Sequence, residues 1–317
     1  MHGRDFLTLR DVSPSELQLL LDRAAQLKAA QAQGTQHRLL KGQSLAMLFE
    51  KASLRTRTTF VLGMTQLGGT AIDLMSEHTQ IGVREPIPDI ARNLERWVDG
   101  LMARVFRHTV LNELADSTSI PIINGLSELE HPCQTLADLL TIREKRGELE
   151  GCHLAYIGDG FNVCNSLLLG SALTGMHINV ATPAGYEPNM DVVDSARRLA
   201  KNNGGTLELG FDPVAATKNA DVVYTDAWIS MGLENEAKNR REVFEGYRVD
   251  TKLMAHAKPE AIFMHCLPAH RGDEVSAEVI DGNQSVIFDQ AENRLHTQKA
   301  LLVMLLRGDS AFCEIPT

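Results

Sequence analysis

Short apolar runs alternate with segments of helical periodicity along most of the chain, and that alternation leaves few folds open. Ser44–Phe49, Thr70–Leu74, Gly100–Val105 and Pro121–Ile123 read as buried strands. Pro14–Gln33, Thr58–Leu67, Pro86–Trp97 and Pro132–Arg146 read as helices. Ser13-Pro14-Ser15-Glu16 is a capping box with proline at the first helical position, and Gly34 ends that helix. A polar stretch, Arg146–Gly151, precedes a second alternation. Its strands are His153–Ile157, His177–Ala181, Thr206–Leu209, Val222–Thr225, Ile262–His265 and Val286–Phe288; its helices are Asn162–Leu173, Asp191–Asn203 and Ala291–Leu306. Strands that alternate with helices imply an α/β fold of mainly parallel sheets covered on both faces. A length of 317 residues suits two domains, with a boundary near residue 148 giving 1–148 and 149–317. The apolar stripe Leu295, Leu302, Val303, Leu306 on the helix of about 291–306 suits packing back on the first domain.

The charge balance narrows the partners. A net charge of −10 argues against nucleic acid and anionic membrane surfaces. The longest unbroken apolar run, Ala300–Leu306, is far too short to span a bilayer, and Met1–Asp5 has no signal-peptide core. Five cysteines, an odd number without a Cys-x-x-Cys pair, fit neither a disulfide framework nor a zinc site. A cytoplasmic setting fits best.

Against this acidic background, Ser53-Leu54-Arg55-Thr56-Arg57 gathers two arginines and two hydroxyls where a strand hands over to a helix. Free backbone N–H groups and the helix dipole make such a place a natural phosphate site. In parallel sheets ligands bind beyond the carboxyl ends of the strands. That rule puts the loops at Ser53–Arg57, Gln80, Arg104 and His131 on one rim, and those at Gly158–Asn162, Asp226–Met231 and Cys266–Leu267 on the facing rim of a cleft.

His131-Pro132-Cys133-Gln134 sets a histidine at a helix start, where the dipole disfavours its protonated form. Neutral, it could donate an N–H to a carbonyl oxygen jointly with Arg104, with Gln134 reading an adjacent amide. Gly158-Asp159-Gly160 tempts a dinucleotide reading, but the third glycine of that fingerprint would fall at Val163. The turn instead presents Asn162, either to hold a carboxylate or to cap its helix. Asp226, with Ser230 and Gly232 close by, suits an ammonium group. Cys266 lacks a nearby oxyanion motif, which favours a polar, non-covalent role.

These stretches, in this order, resemble the aspartate/ornithine carbamoyltransferase family, most closely its ornithine-specific branch. The matching segments are Phe49–Arg57, Gln80–Gly82, Met102–Phe106, His131–Gln134, Gly158–Asn162, Asp226–Gly232, His265–Pro268 and Glu292–Arg294, and they take in nearly the whole chain. The resemblance implies that Ser53, Leu54, Arg55, Thr56, Arg104, His131 and Gln134 bind carbamoyl phosphate, with Gln80 lent by a neighbouring subunit. It implies that Asn162, Asp226, Ser230, Met231, Cys266, Leu267 and Arg294 surround L-ornithine and the reacting centre. It further implies transfer of the carbamoyl group to the δ-amine, a homotrimer or multiple of trimers, two helices joining the domains, and no metal or cofactor.

Two positions depart from the family. Leu54 stands where threonine is usual, which removes a hydroxyl but keeps a backbone N–H for phosphate; Phe161 stands where asparagine is frequent. Aspartate as acceptor would call for basic residues in Asp226–Gly232, which has none. Putrescine, which has no carboxylate for Asn162 to hold, is the alternative acceptor. The alternative of another class is a catalytically silent binding protein on the same fold. Such a copy should have lost members of the set Arg55, Arg104, His131, Asp226 and Cys266, all of which are present.

Overall fold

A computed structural model of the protein describes residues 1–75, 81–229 and 234–315. The chain forms two compact units, Met1–Leu140 with Glu292–Thr317, and Thr141–Ala291. It crosses the division twice, each time within a helix.

The first unit holds a four-stranded parallel sheet in the order β2-β1-β3-β4, with β1 Ser44–Phe49, β2 Thr70–Met75, β3 Gly100–Arg104 and β4 Ile122–Leu126. Its helices are α1 (Pro14–Ala32), α2 (Leu54–Gln66), α3 (Ile87–Leu94), α4 (His108–Asp116) and α5 (Pro132–Arg146), the last running into the second unit. Alternate strand residues face opposite layers. Ala46, Leu48, Leu101 and Ala103 are buried in one cluster with Ile87, Ile90 and Leu94 of α3 and Val110, Leu111 and Leu114 of α4. On the other face Gly100 lies so close to Leu306 that a Cβ there would come within 2.9 Å of its side chain.

The capping box at Ser13 forms as the sequence indicates, with Ser13 and Glu16 each bonding the other's backbone N–H. Helix α2 starts four residues earlier than its apolar periodicity suggests. Ser53 is its N-cap, accepting from Thr56 N at 3.3 Å, so Arg55 and Thr56 lie inside the first turn.

A buried acid fastens the N-terminal segment to the loop that leads into α5. Glu130 accepts from Thr8 Oγ1 at 2.5 Å and Leu9 N at 3.2 Å, with Arg10 Nη2 at 3.8 Å. Burial pushes its carboxyl up to about 7, against the lowering pull of those bonds and of Arg10, with Asp11 adding to the rise. A folded value above the unfolded one means this group's stabilisation is full below pH 4.5 and is lost as pH rises through 7. Wild-type protein should therefore lose about 3 kcal/mol relative to Glu130→Gln between pH 4.5 and 7.5. Paired urea titrations measure it, and parallel curves for the two proteins would show that Glu130 does not titrate there.

The second unit is a five-stranded parallel sheet, β7-β6-β5-β8-β9, of β5 His153–Ile157, β6 His177–Ala181, β7 Thr206–Gly210, β8 Val222–Thr225 and β9 Ile262–His265. Its helices are α6 (Asn162–Thr174), α7 (Met190–Asn203) and the short α8 (Pro213–Thr217), α9 (Ala237–Phe244), α10 (Thr251–Met254) and α11 (Ala277–Ile280). The final helix, α12 (Ile287–Leu306), returns the chain to the first unit. Val286–Phe288 is not a strand. Phe263 and Ser285 form a single bridge, after which Gln290 N already donates to Val286 O and α12 has begun. Once in the first unit, α12 is tied down by Lys299. Its Nζ meets Gln31 Oε1 at 2.8 Å, Gln66 Oε1 at 3.0 Å and His37 Nε2 at 3.0 Å.

Candidate active site

The first unit builds its site where β1 runs into α2 and β3 and β4 end. A register shift between Ala103 and Arg104 interrupts the pairing of β3 with β4. Such an irregularity re-aims the side chain at the strand end. Glu50 N donates to Arg104 O at 2.9 Å, fixing the backbone there. His131 is buried at the start of α5, its carbonyl accepting from Gln134 N and Thr135 N. Burial first, then the charges of Arg294, Arg104 and Arg55, hold its imidazolium well below the usual histidine range. Around neutral pH it is a neutral ring beside three guanidiniums.

Arg294, from α12, lies in this unit among the residues expected to hold carbamoyl phosphate. Its Nη1 donates to Gln134 Oε1 at 2.6 Å and its Nη2 to Thr56 Oγ1 at 3.3 Å. With the Gln298 amide turned to face it, Gln298 Oε1 lies 2.8 and 3.1 Å from Arg294 Nη2 and Nε. The reversed nitrogen lies 2.5 Å from Thr59 Oγ1. Gln134 Nε2 in turn donates to Asp138 Oδ1 at 2.8 Å. This chain fixes the Gln134 amide, whose oxygen keeps a second lone pair for a ligand N–H. Gln298, Thr59 and Asp138 carry no signal in the sequence, because each acts through a partner that only the fold brings near. The two arginines of the turn part company. Arg57 Nε is 2.7 Å from Asp73 Oδ2, and its guanidinium lies over the Phe49 ring, so it braces β2 against α2. Leu54, at the first helical position, exposes its side chain.

The second unit gathers its polar residues at the carboxyl ends of β5, β8 and β9. Gly158 has φ +134°, and a Cβ on Gly160 would fall 2.4 Å from Pro188 N, so only glycine allows the turn to pass this backbone. Asn162 is buried as the first residue of α6, the N-cap being Phe161. Asp159 forms a buried ion pair with Arg240, whose Nε also donates to Trp228 O at 2.6 Å. Arg240 therefore ties the glycine turn to the segment after β8, a role its sequence surroundings do not reveal. Asp226 Oδ1 accepts from Ala227 N at 2.7 Å and from Cys266 Sγ at 3.0 Å. Gln80, Ser230 and Met231 lie outside the described residues.

Donor atoms of Asp226, His265 and Cys266 all lie within 4.8 Å of one another, a spacing a metal ion could use. His265, however, has both nitrogens engaged, Nε2 with Glu274 Oε1 at 3.2 Å and Nδ1 with Leu267 N at 2.9 Å. Two donors are too few for the usual tetrahedral zinc site.

Comparison with known proteins also divides the chain in two. A family model described as the carbamoyl-P binding domain of aspartate/ornithine carbamoyltransferase matches residues 4–144, and its Asp/Orn binding domain matches residues 150–305. Ornithine carbamoyltransferase of Carboxydothermus hydrogenoformans is 51% identical over 304 residues, taking in 96% of this chain and 98% of that protein. The anabolic ornithine carbamoyltransferase of Pyrococcus furiosus is 49% identical over 306 residues, 96% of this chain and 97% of that one. A solved structure of ornithine carbamoyltransferase from Pyrococcus furiosus superposes with a TM-score of 0.95 at 49% identity, covering 97% of this chain and 98% of that one. With both domain models matched in order, and full-length relatives at about half identity, the chain belongs to the aspartate/ornithine carbamoyltransferase family.

Proposed function

We propose that this chain transfers the carbamoyl group of carbamoyl phosphate to the δ-amine of L-ornithine, giving L-citrulline and phosphate. The observation that carries the reading is the neutral, buried His131 set among Arg55, Arg104 and Arg294 at the mouth of an anion-binding helix start. The first unit takes carbamoyl phosphate and the second takes ornithine. Backbone N–H groups of the first turn of α2, Ser53, Thr56 and Arg55 receive the phosphate dianion. Arg104 and the neutral ring of His131 donate to the carbamoyl oxygen, where negative charge grows as the amine adds. The N–C bond forms and the C–O bond to phosphate breaks. The departing phosphate, basic as it leaves, takes the proton that the amine gives up. Catalysis rests on positioning and fixed charges, without a covalent intermediate.

On the acceptor, Asp226 receives the α-ammonium and Asn162 the carboxylate, with Ser230, Met231, Cys266 and Leu267 around the chain. Gln80 reaches the site from a neighbouring copy in a homotrimer or a multiple of trimers, so light scattering should return a multiple of three times 34.9 kDa. The cysteines, none of them in a disulfide among the described residues, support a reducing, cytoplasmic setting. Cell fractionation tests it. No helix among the described residues is long and apolar enough to cross a membrane.

The deciding assay offers carbamoyl phosphate with ornithine, putrescine, aspartate and N-acetylornithine in parallel. Product should form with ornithine at a kcat/KM at least about 10²-fold above the other three. At sub-saturating ornithine the rate should rise about tenfold per pH unit from 6 to 8, because only the neutral amine attacks. His131 adds no break near its ordinary value, since it is already neutral. Preference for putrescine would reassign the acceptor, and no product with any amine would make the chain a silent copy.

A further inference from the structure

Beyond the residues that would touch substrate, the second unit contains a buried acid–imidazole pair directly behind the Cys266–Leu267 corner. His265 ends β9 and Glu274 follows it nine residues later, and both are fully buried. Leu267 N lies 2.9 Å from His265 Nδ1. A backbone amide can only donate, so Nδ1 must present its lone pair. At the opposite edge of the ring, His265 Nε2 lies 3.2 Å from Glu274 Oε1. A neutral imidazole carries one ring proton, so with Nδ1 bare it sits on Nε2 and points at this carboxyl oxygen. Both neighbours select the same neutral tautomer. Glu274 is itself held, accepting from His270 N at 2.6 Å, and His265 N donates to Gln290 Oε1 at 3.0 Å.

The pair restrains an otherwise unfavourable backbone. Leu267 has φ +60°, in the left-handed region that a branched-chain residue seldom enters. Such a conformation persists only where its surroundings fix it. Capture of the Leu267 amide by His265 Nδ1 provides that fixing. The same corner sets Cys266 so that its Sγ meets Asp226 Oδ1 at 3.0 Å.

We propose that Glu274 and His265 act together as positioning residues: the buried carboxylate locks the imidazole in its Nε2–H tautomer, and the lone pair on Nδ1 holds the Cys266–Leu267 corner where it can orient Asp226 and the acceptor. The role in turnover rests on the carbamoyl-transfer reading; the tautomer lock does not. Asparagine at position 265 can put an amide oxygen where Nδ1 sits, whereas leucine cannot. His265→Asn should keep kcat/KM for ornithine within about tenfold of wild type, and His265→Leu should lose about 10²-fold. Carbamoyl phosphate affinity, measured by calorimetry, should stay unchanged in both. Glu274→Gln should fall between them.

Long-range ¹H–¹⁵N correlation on the full-length protein, with the His265 ring identified by its disappearance in His265→Asn, gives the independent reading. It should show Nε2 protonated and Nδ1 bare in wild type. A proton on the wild-type Nδ1 overturns the proposal whatever the kinetics show. Equal losses in His265→Asn and His265→Leu, or a loss of carbamoyl phosphate binding in either, overturn the positioning role. Wild-type protein that makes no product with ornithine defeats the functional reading alone, since the tautomer lock is decided by the spectrum.

Discussion

Replacing Arg104 with alanine should lower kcat for citrulline formation by about 10²–10³-fold, the usual cost of removing one donor aimed at a developing oxyanion. The fold should survive the change. Arg104 stands at the last position of β3, and its carbonyl, bonded to Glu50 N, holds the strand end whatever side chain follows. Arg104→Lys should recover part of the loss, since an ammonium supplies the charge but not the planar fork. The effect should fall on kcat more than on carbamoyl phosphate affinity, because the proposed reading gives the phosphate to Arg55 and the turn at Ser53. Steady-state kinetics with calorimetric titration separates the two. An Arg104→Ala protein that binds carbamoyl phosphate normally and keeps half its turnover would remove Arg104 from the reacting centre.

How far this arrangement can be read without coordinates differs from element to element. The alternation of β1–α2–β2 and β5–α6–β6 is legible because each element is long enough to display its own period. α8, α10 and α11, of four or five residues, are too short to show one. Val286–Phe288 is ambiguous for a related reason, since three apolar residues suit a strand and the first turn of a helix equally. The late start assigned to α2 is more instructive. Helix beginnings are recognised by acids that complement the dipole, and α2 has none in its first turn, only arginine. That local mismatch is what a site for an external anion requires, and local disagreement of this kind tends to mark function.

The supporting residues were beyond reach for a different reason. Arg240 pairs with Asp159 across 81 positions, and Arg294 bonds Gln134 across 160. Lys299 reaches Gln31 across 268. No sequence window contains both partners. The residues expected to meet substrate could be read because strand ends and helix starts are local features. The residues that orient them depend on chain-distant packing, which is why Gln298, Asp138, Arg240 and Glu274 enter only with the structure.

Asp226→Asn should raise the KM for ornithine by about 10²-fold or more and leave carbamoyl phosphate affinity within about twofold of wild type. Loss of a charge-assisted contact to an ammonium accounts for about 1.5–3 kcal/mol, or roughly 10- to 150-fold. The local geometry pushes the expectation to the upper end. Asp226 Oδ1 accepts from both Ala227 N and Cys266 Sγ, so an asparagine would keep its oxygen on that side to satisfy two donors. Its amide nitrogen would then occupy the place of the second carboxylate oxygen and turn two N–H groups toward the ligand's ammonium. Donor would face donor, and the substitution would convert attraction into repulsion. Cys266→Ser preserves a donor to Asp226 and should cost about tenfold or less, which separates the contact from nucleophilic chemistry at sulfur. Putrescine, whose distal ammonium would meet the same amide and which has no carboxylate for Asn162 to hold, should gain nothing on ornithine in the Asp226→Asn protein. If that variant binds ornithine as wild type does in calorimetry, Asp226 does not meet the α-ammonium. The acceptor would then have to be recognised chiefly through Asn162 and its carboxylate.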